Sequence, residues 1–231
     1  MQHELPLAVP PVAVPAYLEK TYWWAYVRPQ AVHFWDRPWL IDLILWGNYR
    51  RLRDAALDAL GDHLDGRTLQ IACVYGDISE RIRARLAPAG GFDVLDVVRA
   101  QLDNVARKLR GDPRVGLIQA DSSALDIESG TYDRALLFFL LHEQPDDVRR
   151  RTIAEALRVV KPGGRVVILD YHRPRITHPL YWPMVAILKA LEPFAMDLWR
   201  HEIREWLPAG VRLEKTTYFG ELYQLLKITK D

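Results

Sequence analysis

The stretch "LQIACVYGD", residues 69–77, decides the fold. An apolar run ends in a tight turn, and "ISERIRARLAP" follows as a helix closed by Pro88 and Gly90–Gly91. Strand, loop and helix in that order are the entry unit of a nucleotide-type α/β sheet. Yet the loop holds a single glycine, Gly76, and Ala72, Val74 and Tyr75 stand where glycines are expected. A dinucleotide loop needs G-x-G-x-x-G so that the backbone can approach a pyrophosphate at a helix N-terminus. "ACVYGD" does not supply that pattern, which argues against a dinucleotide.

Residues 67–170 repeat the unit. "FDVLDVV", "VGLIQAD", "YDRALLFFLL" and "GRVVILDY" read as further strands, with "QLDNVARKLRG" and "PDDVRRRTIAEALRVV" as helices between them. The apolar runs lack strict alternation, so these strands are covered on both faces. Their repetition with helices implies an α/β fold with a parallel sheet and right-handed crossovers. Residues 172–210 break the rhythm and read as a helical insertion after the fifth strand. "VRLEKTTYFGELYQLLKITK" reads as an antiparallel hairpin turning near Gly220.

A chain of 231 residues, 49% hydrophobic, suits one α/β domain with an elaboration and excludes wholesale disorder. Its net charge of +1 gives no attraction to nucleic acid. One cysteine, Cys73, excludes an internal disulfide and a cysteine-based zinc site. A serine hydrolase is unsupported, since there is no G-x-S-x-G. No uninterrupted apolar stretch reaches the ~18 residues of a spanning helix. The opening "MQHELPLAVPPVAVPAYLEK" lacks a basic n-region and reads as a loose arm rather than a signal peptide. Nothing in the sequence signals an oligomeric state.

Residues 1–60 form an N-terminal arm and aromatic helical lid: "AYLEKTYWWAYVRP", then one long amphipathic run, "WLIDLILWGNYRRLRDAALDALGDHL". Trp23, Trp24, Trp35, Trp39 and Trp46 lie here, and Trp182, Trp199 and Trp206 lie late. The stretch between 47 and 181 has none. Such clustering points to an aromatic pocket or a membrane-interface surface. The plainer alternative is that the two helical elements pack together. Arg28, Arg50, Arg51, Arg53, Arg173 and Arg175 are candidates for lipid phosphates, or else a solvated helix face.

A doubly wound sheet takes ligands outside the carboxyl ends of its strands. Cys73, Val74, Tyr75 and Gly76 end the first strand. Asp96, with Val97, ends the second, 20 residues beyond Gly76, where an acid can accept both hydroxyls of a ribose. Asp121 and Ser122 end the third, beside an adenine edge, and Phe138 opens "FFLLHE" at the fourth. Any one acid is as readily a helix cap, whereas the combination favours a nucleoside. His142–Glu143 and Asp170 with His172 carry the donor types of a divalent cation at the active-site edge. Taken singly, each is a cap, a surface group or a proton carrier. His201–Glu202 is a third, weaker set.

The order of elements resembles a class I S-adenosylmethionine-dependent methyltransferase, and "RVVKPGG" before the fifth strand is similar to quinone methyltransferases. A closer resemblance covers nearly the whole chain. "YLEKTYWWAYVRPQAV", "LILWGNYRRLRDAALDAL", "CVYGD", "DSSAL", "RALLFFLLHEQP", "DYHRP" and "LEPFAMDLWRHEI" look like the rhodoquinone-biosynthesis methyltransferase-like proteins. The resemblance implies conversion of ubiquinone to rhodoquinone, a ring methoxy being replaced by an amino group. It implies S-adenosylmethionine as amino donor, assisted by a divalent metal, manganese. It makes residues 61–231 the methyltransferase-like domain, and it implies a cytoplasmic protein attached peripherally to the inner membrane.

Ordinary members carry acid-x-Gly-x-Gly-x-Gly where this chain has Gln70, Ala72, Val74 and Gly76. The added Cβ atoms should re-aim the cofactor, with Tyr75 and Asp77 orienting its α-amino group and His142 and Glu143 serving the chemistry. Tyr22, Trp23, Trp24, Trp35, Trp182, Phe194 and Trp199 are candidates for the quinone ring or tail, or for simple packing. Two rivals stand beside this: methylation of a quinone or phenol precursor, and a silent quinone- or lipid-binding protein whose loop has decayed.

Overall fold

The computed structural model describes residues 12–22, 32 and 34–231. Its centre is a seven-stranded sheet in the order β3-β2-β1-β4-β5-β7-β6. Strands β1 (Arg67–Ile71), β2 (Gly91–Asp96), β3 (Val115–Gln119), β4 (Tyr132–Phe138) and β5 (Val160–Tyr171) run parallel. β6 (Val211–Tyr218) and β7 (Tyr223–Lys230) are antiparallel, with β7 inserted between β5 and β6. The expected α/β class, parallel sheet and closing hairpin are all present. Charged Arg212, Glu214 and Lys215 keep the outer strand β6 a solvated edge.

Alternate residues of the strands feed two cores. Phe92, Val94, Leu136, Phe138, Val167, Leu169 and Leu225 pack on one face. Leu69, Ile71, Leu95, Leu137, Val166, Ile168 and Leu226 pack on the other. Helices cover both faces, which is why the strands read as continuous apolar runs.

The leader departs from expectation. In the chain α1 (Ala16–Thr21) comes first, and the long amphipathic run is two helices, α2 (Pro38–Ile44) and α3 (Tyr49–Leu60). Trp46 (φ 54°) and Gly47 (φ 75°) sit in the left-handed region and break the run between them. α3 does not lie over the domain as a lid. Tyr49, Leu52, Ala56, Leu57 and Leu60 are buried in the same core as the sheet. The insertion after β5 is helical as predicted, with α7 (Tyr181–Leu191), α8 (Ala195–Leu198) and a 3-10 turn at Ile203–Trp206. The remaining helices, α4 (Ile78–Arg85), α5 (Arg99–Leu109) and α6 (Asp146–Val159), are the crossovers.

Candidate active site

A cavity of about 500 Å³ opens at the carboxyl ends of β1, β2, β4 and β5. Cys73, Val74, Tyr75, Asp96, Val97, Asp121, Ser122, Phe138, His142 and Glu143 line it, as the sequence predicted, together with Trp35. Asp96 is buried, and its two oxygens accept the backbone N–H groups of Cys73 (2.7 Å) and Val98 (2.8 Å). Burial pushes its pKa up to about 6, against the pull of those N–H groups. At the third strand end, Gln144 donates to the Ser122 hydroxyl (3.1 Å), and Asp121 accepts the Ser123 N–H (2.8 Å).

The loop keeps a glycine's path without its glycine. Ala72 has φ 72°, a region where a Cβ costs about 1–2 kcal/mol. The conformation is held from outside. Ala72 donates its N–H to the Leu95 carbonyl (2.8 Å), and its own carbonyl accepts from the buried Gln70 amide (3.0 Å). Ser79 donates to the same amide's oxygen (2.8 Å), so Gln70 is wholly occupied in bracing the loop. Ala72→Gly is expected to stabilise the protein by about 1 kcal/mol, a rise of roughly 2–4 °C in melting temperature by calorimetry. Gly76 survives for a steric reason: φ is 95°, and a Cβ there would lie 2.1 Å from the Tyr49 hydroxyl.

Several predicted residues are elsewhere. Asp77 does not line the cavity. Its carboxylate is taken by Arg53 (2.9 Å), Arg81 (2.7 Å) and the Tyr49 hydroxyl (2.9 Å), and these hold its pKa below the usual range against the opposing effect of burial. Those bonds also remove Arg53 from any lipid-facing role. Gly76 lies behind the cavity and donates its N–H to Asp36 (2.8 Å). Asp36 further accepts from Asn104 (2.9 Å) and pairs with Lys108, which also reaches the Gly76 carbonyl. The leader is thus clasped to the cofactor loop and to α5.

Tyr22 is fully buried with Leu18 and Val98. Trp199 is buried against Tyr181. Phe194 packs edge-on to Tyr17. Trp182 faces outward, 65% exposed. None of these four lines the cavity. Trp23 and Trp24 lie outside the described residues.

The proposed metal donors are not gathered. Asp170 is fully buried and accepts the Leu141 N–H (2.8 Å), the His142 N–H (3.3 Å) and the His142 ring Nδ1–H (2.8 Å). His172 does not line the cavity and is engaged by the Glu221 carbonyl, Glu202 and Lys215. Only His142 and Glu143 of the set reach the cavity, and no cluster of three metal-type donors occurs among the described residues. The residues present do not fit the implied metal site, and no step is derived through one. The His142–Asp170 pair is instead a charge dyad. Burial alone would lower the His142 pKa, but Asp170, Glu192 and Glu143 reverse that and raise it to about 9. At neutral pH the ring is therefore a hydrogen-bond donor aimed at the cavity beside Phe139 and Tyr171.

The sequence did not single out Tyr17, Gln101, Tyr171 or Glu192, which also line the cavity. Gln101 donates to the Tyr75 hydroxyl (3.1 Å), fixing the phenol at the cavity wall. "QLDNVARKL" placed Gln101 on a helix but gave no sign that its amide faces the loop. Tyr17 arrives from α1, and no local pattern could have signalled its place.

Among solved structures, a protein of Bordetella parapertussis described as a possible exported protein matches with TM-score 0.66 at 16% identity, over 93% of this chain and 85% of that one. A SAM-dependent methyltransferase from Aquifex aeolicus matches with TM-score 0.57 at 17% identity, over 87% and 97%. Both speak to the fold. A ubiquinone/menaquinone biosynthesis C-methyltransferase of Idiomarina loihiensis is 30% identical over 136 residues, 58% of this chain and 53% of that protein. A demethylmenaquinone methyltransferase of Clavibacter sepedonicus is 32% identical over 135 residues, again 58% and 53%. The chain thus spans about half the length of these relatives. The sequence profile of the ubiE/COQ5 methyltransferase family matches residues 37–207, most of the chain. The chain belongs to the ubiE/COQ5 methyltransferase family.

Proposed function

We propose that the protein is an S-adenosylmethionine-dependent transferase acting on the ring of a polyprenylated quinone, and that it converts ubiquinone to rhodoquinone by replacing a ring methoxy with an amino group. The observation that carries the reading is the altered loop. Asp96, Asp121 and Ser122 keep a nucleoside site, whereas Ala72 and Val74 place side chains where an ordinary loop offers bare backbone, and Tyr75 adds a phenol beside them. Gln70, where such loops carry an acid, is consumed by Ala72 and Ser79 and offers nothing to a cofactor ammonium. A methyl displaced by about 1 Å from its line of transfer can lose roughly 100-fold in rate. An amino group brought near the ring in its place accounts for the changed loop. His142 supplies a cationic N–H to the ring carbonyl, which draws electron density from the carbon under attack.

The quinone's tail supports a place at a membrane surface. Leu43 (66% exposed), Ile44, Trp46, Ile187 and Leu191 (50% exposed) form an apolar rim at the cavity. Trp39, 60% exposed, extends α2's apolar face beyond it. No helix among the described residues is long and apolar enough to cross a membrane, so this reading is of a protein lying on the bilayer.

The relatives favour a second reading, C-methylation of a ubiquinone or menaquinone precursor, since that is the activity in their names. One experiment separates the two. The protein is incubated with a short-chain ubiquinone or its demethylated precursor and with S-adenosylmethionine carrying ¹⁵N in the amino group and ¹³C in the methyl. Mass spectrometry of the lipid should show ¹⁵N in an aminoquinone. Carbon label without nitrogen would return the protein to the methyltransferases its relatives are named for.

A further inference from the structure

We propose that Glu192, just beyond α7, is the carboxylate that accepts the proton released when a new bond is made to the substrate ring, and so is a catalytic residue. The inference rests on ring chemistry taking place in this cavity, and it holds for either product above.

The insertion folds so that Leu191 faces out, 50% exposed, while Glu192 turns inward. Its N–H closes the helix on the Leu188 carbonyl (2.8 Å), which fixes the residue at the helix end. The side chain lines the cavity with His142 and Glu143 and lies beside the Tyr22 hydroxyl. One carboxyl oxygen, Oε2, is buried and makes no hydrogen bond of ordinary geometry, the Tyr22 hydroxyl being the neighbouring protein donor. A buried acceptor left unmatched is unfavourable, and natural proteins rarely keep one without a reason. The donor missing here is one that an occupant of the cavity would bring, an N–H or O–H about to be lost as a proton.

The neighbouring groups divide the labour. His142 is tied to Asp170 through Nδ1 and favours its protonated form, so it donates rather than accepts. Asp170 itself is spent on backbone N–H groups. Burial raises the Glu192 pKa, against the attraction of His142 and the Tyr22 hydroxyl, which suits a carboxylate that must take up a proton and release it again.

The proton count is the same for both reactions. In the substitution step of amination the nitrogen–ring bond forms and the ring–methoxy bond breaks. Of the three ammonium protons one leaves with the methoxy as methanol, Glu192 takes a second and the third stays on the nitrogen, whose bond to the cofactor's α-carbon is then hydrolysed by water in a separate step. In C-methylation the ring carbon–methyl bond forms, the sulfur–methyl bond breaks with its electron pair returning to sulfur, and Glu192 takes the ring proton. Neither step needs an oxidant or a reductant.

The test is Glu192→Gln, with Glu192→Asp beside it, in the full chain. Turnover is read with the doubly labelled S-adenosylmethionine, cofactor binding with S-adenosylhomocysteine by calorimetry, and folding by thermal melting. Glu192→Gln should slow product formation by about 100-fold or more while leaving S-adenosylhomocysteine affinity within about threefold. Its melting temperature should hold or rise, because an unmatched buried carboxylate has gone. Glu192→Asp should recover part of the rate. Glu192→Gln turnover within about threefold of wild type would overturn the assignment. A slow variant that also melts early or loses S-adenosylhomocysteine would overturn it in favour of a structural role. If the wild type yields only the methylated lipid, the amination reading falls, and the role of Glu192 is decided on that product.

Discussion

Asp170→Asn is expected to be the most damaging conservative substitution in the chain, costing about 3–5 kcal/mol and abolishing turnover. The carboxylate sits at the end of β5 with no exposure and gathers the N–H groups of the Leu141–Glu143 turn together with the His142 ring. An amide can accept at one position only and must present an NH₂ to the other, so at least one donor is left facing a donor. The imidazolium also loses its counter-charge in a buried site. Urea unfolding should show the loss directly.

The wild-type dyad carries a pH signature that the variant should lack. The His142 pKa is higher in the folded chain than in the unfolded one, so its contribution is complete below about pH 6.5 and is lost as pH rises through about 9. The gap between wild-type and Asp170→Asn unfolding midpoints should therefore narrow between pH 7 and pH 10. A constant gap over that range would remove the imidazolium from the account.

Asp36→Ala is expected to release the leader, with a cost of about 3 kcal/mol. Asp36 and Lys108 are mostly buried, and the carboxylate also holds Asn104 and the Gly76 N–H. Its removal strands an ammonium between the Gly76 carbonyl and a void. Because the clasp joins the leader to the cofactor loop, two readouts should move together. Limited proteolysis should begin to cut within residues 32–48, and S-adenosylhomocysteine should bind more weakly. Proteolysis unchanged from wild type would show that α2 is held by the apolar contacts of Ile41 and Leu45 instead.

The sheet was legible because its strands are buried on both faces and its crossovers have helical periodicity. The strand-end acids were legible too, since topology places them before any side chain is positioned. Asp96 and Asp121 reach the cavity for that reason alone. The metal set failed on a different kind of fact. His142 and Asp170 do converge, but Asp170 is used up by the backbone N–H groups of the turn it supports. His172, just past the end of β5, is taken up by the Glu221 carbonyl, Glu202 and Lys215. Glu192 and Asp36 had no local signature, since each acquires its role from a segment distant in sequence. The break between α2 and α3 had a visible cue in Gly47, but the amphipathic pattern running through it masked the turn.

Ala72 bears on how this chain's chemistry could have arisen. Its left-handed backbone is imposed by Leu95 and Gln70, so a glycine and an alanine can share the position without rebuilding the loop. The penalty of about 1–2 kcal/mol is small beside the ~5–15 kcal/mol stability typical of a folded domain. A lineage could therefore cross this position in either direction by a single substitution and remain folded throughout. The barrier between neighbouring transferase activities would then lie in the shape of the cavity wall rather than in the survival of the intermediates, which makes the loop a place where one activity can be exchanged for another in few steps.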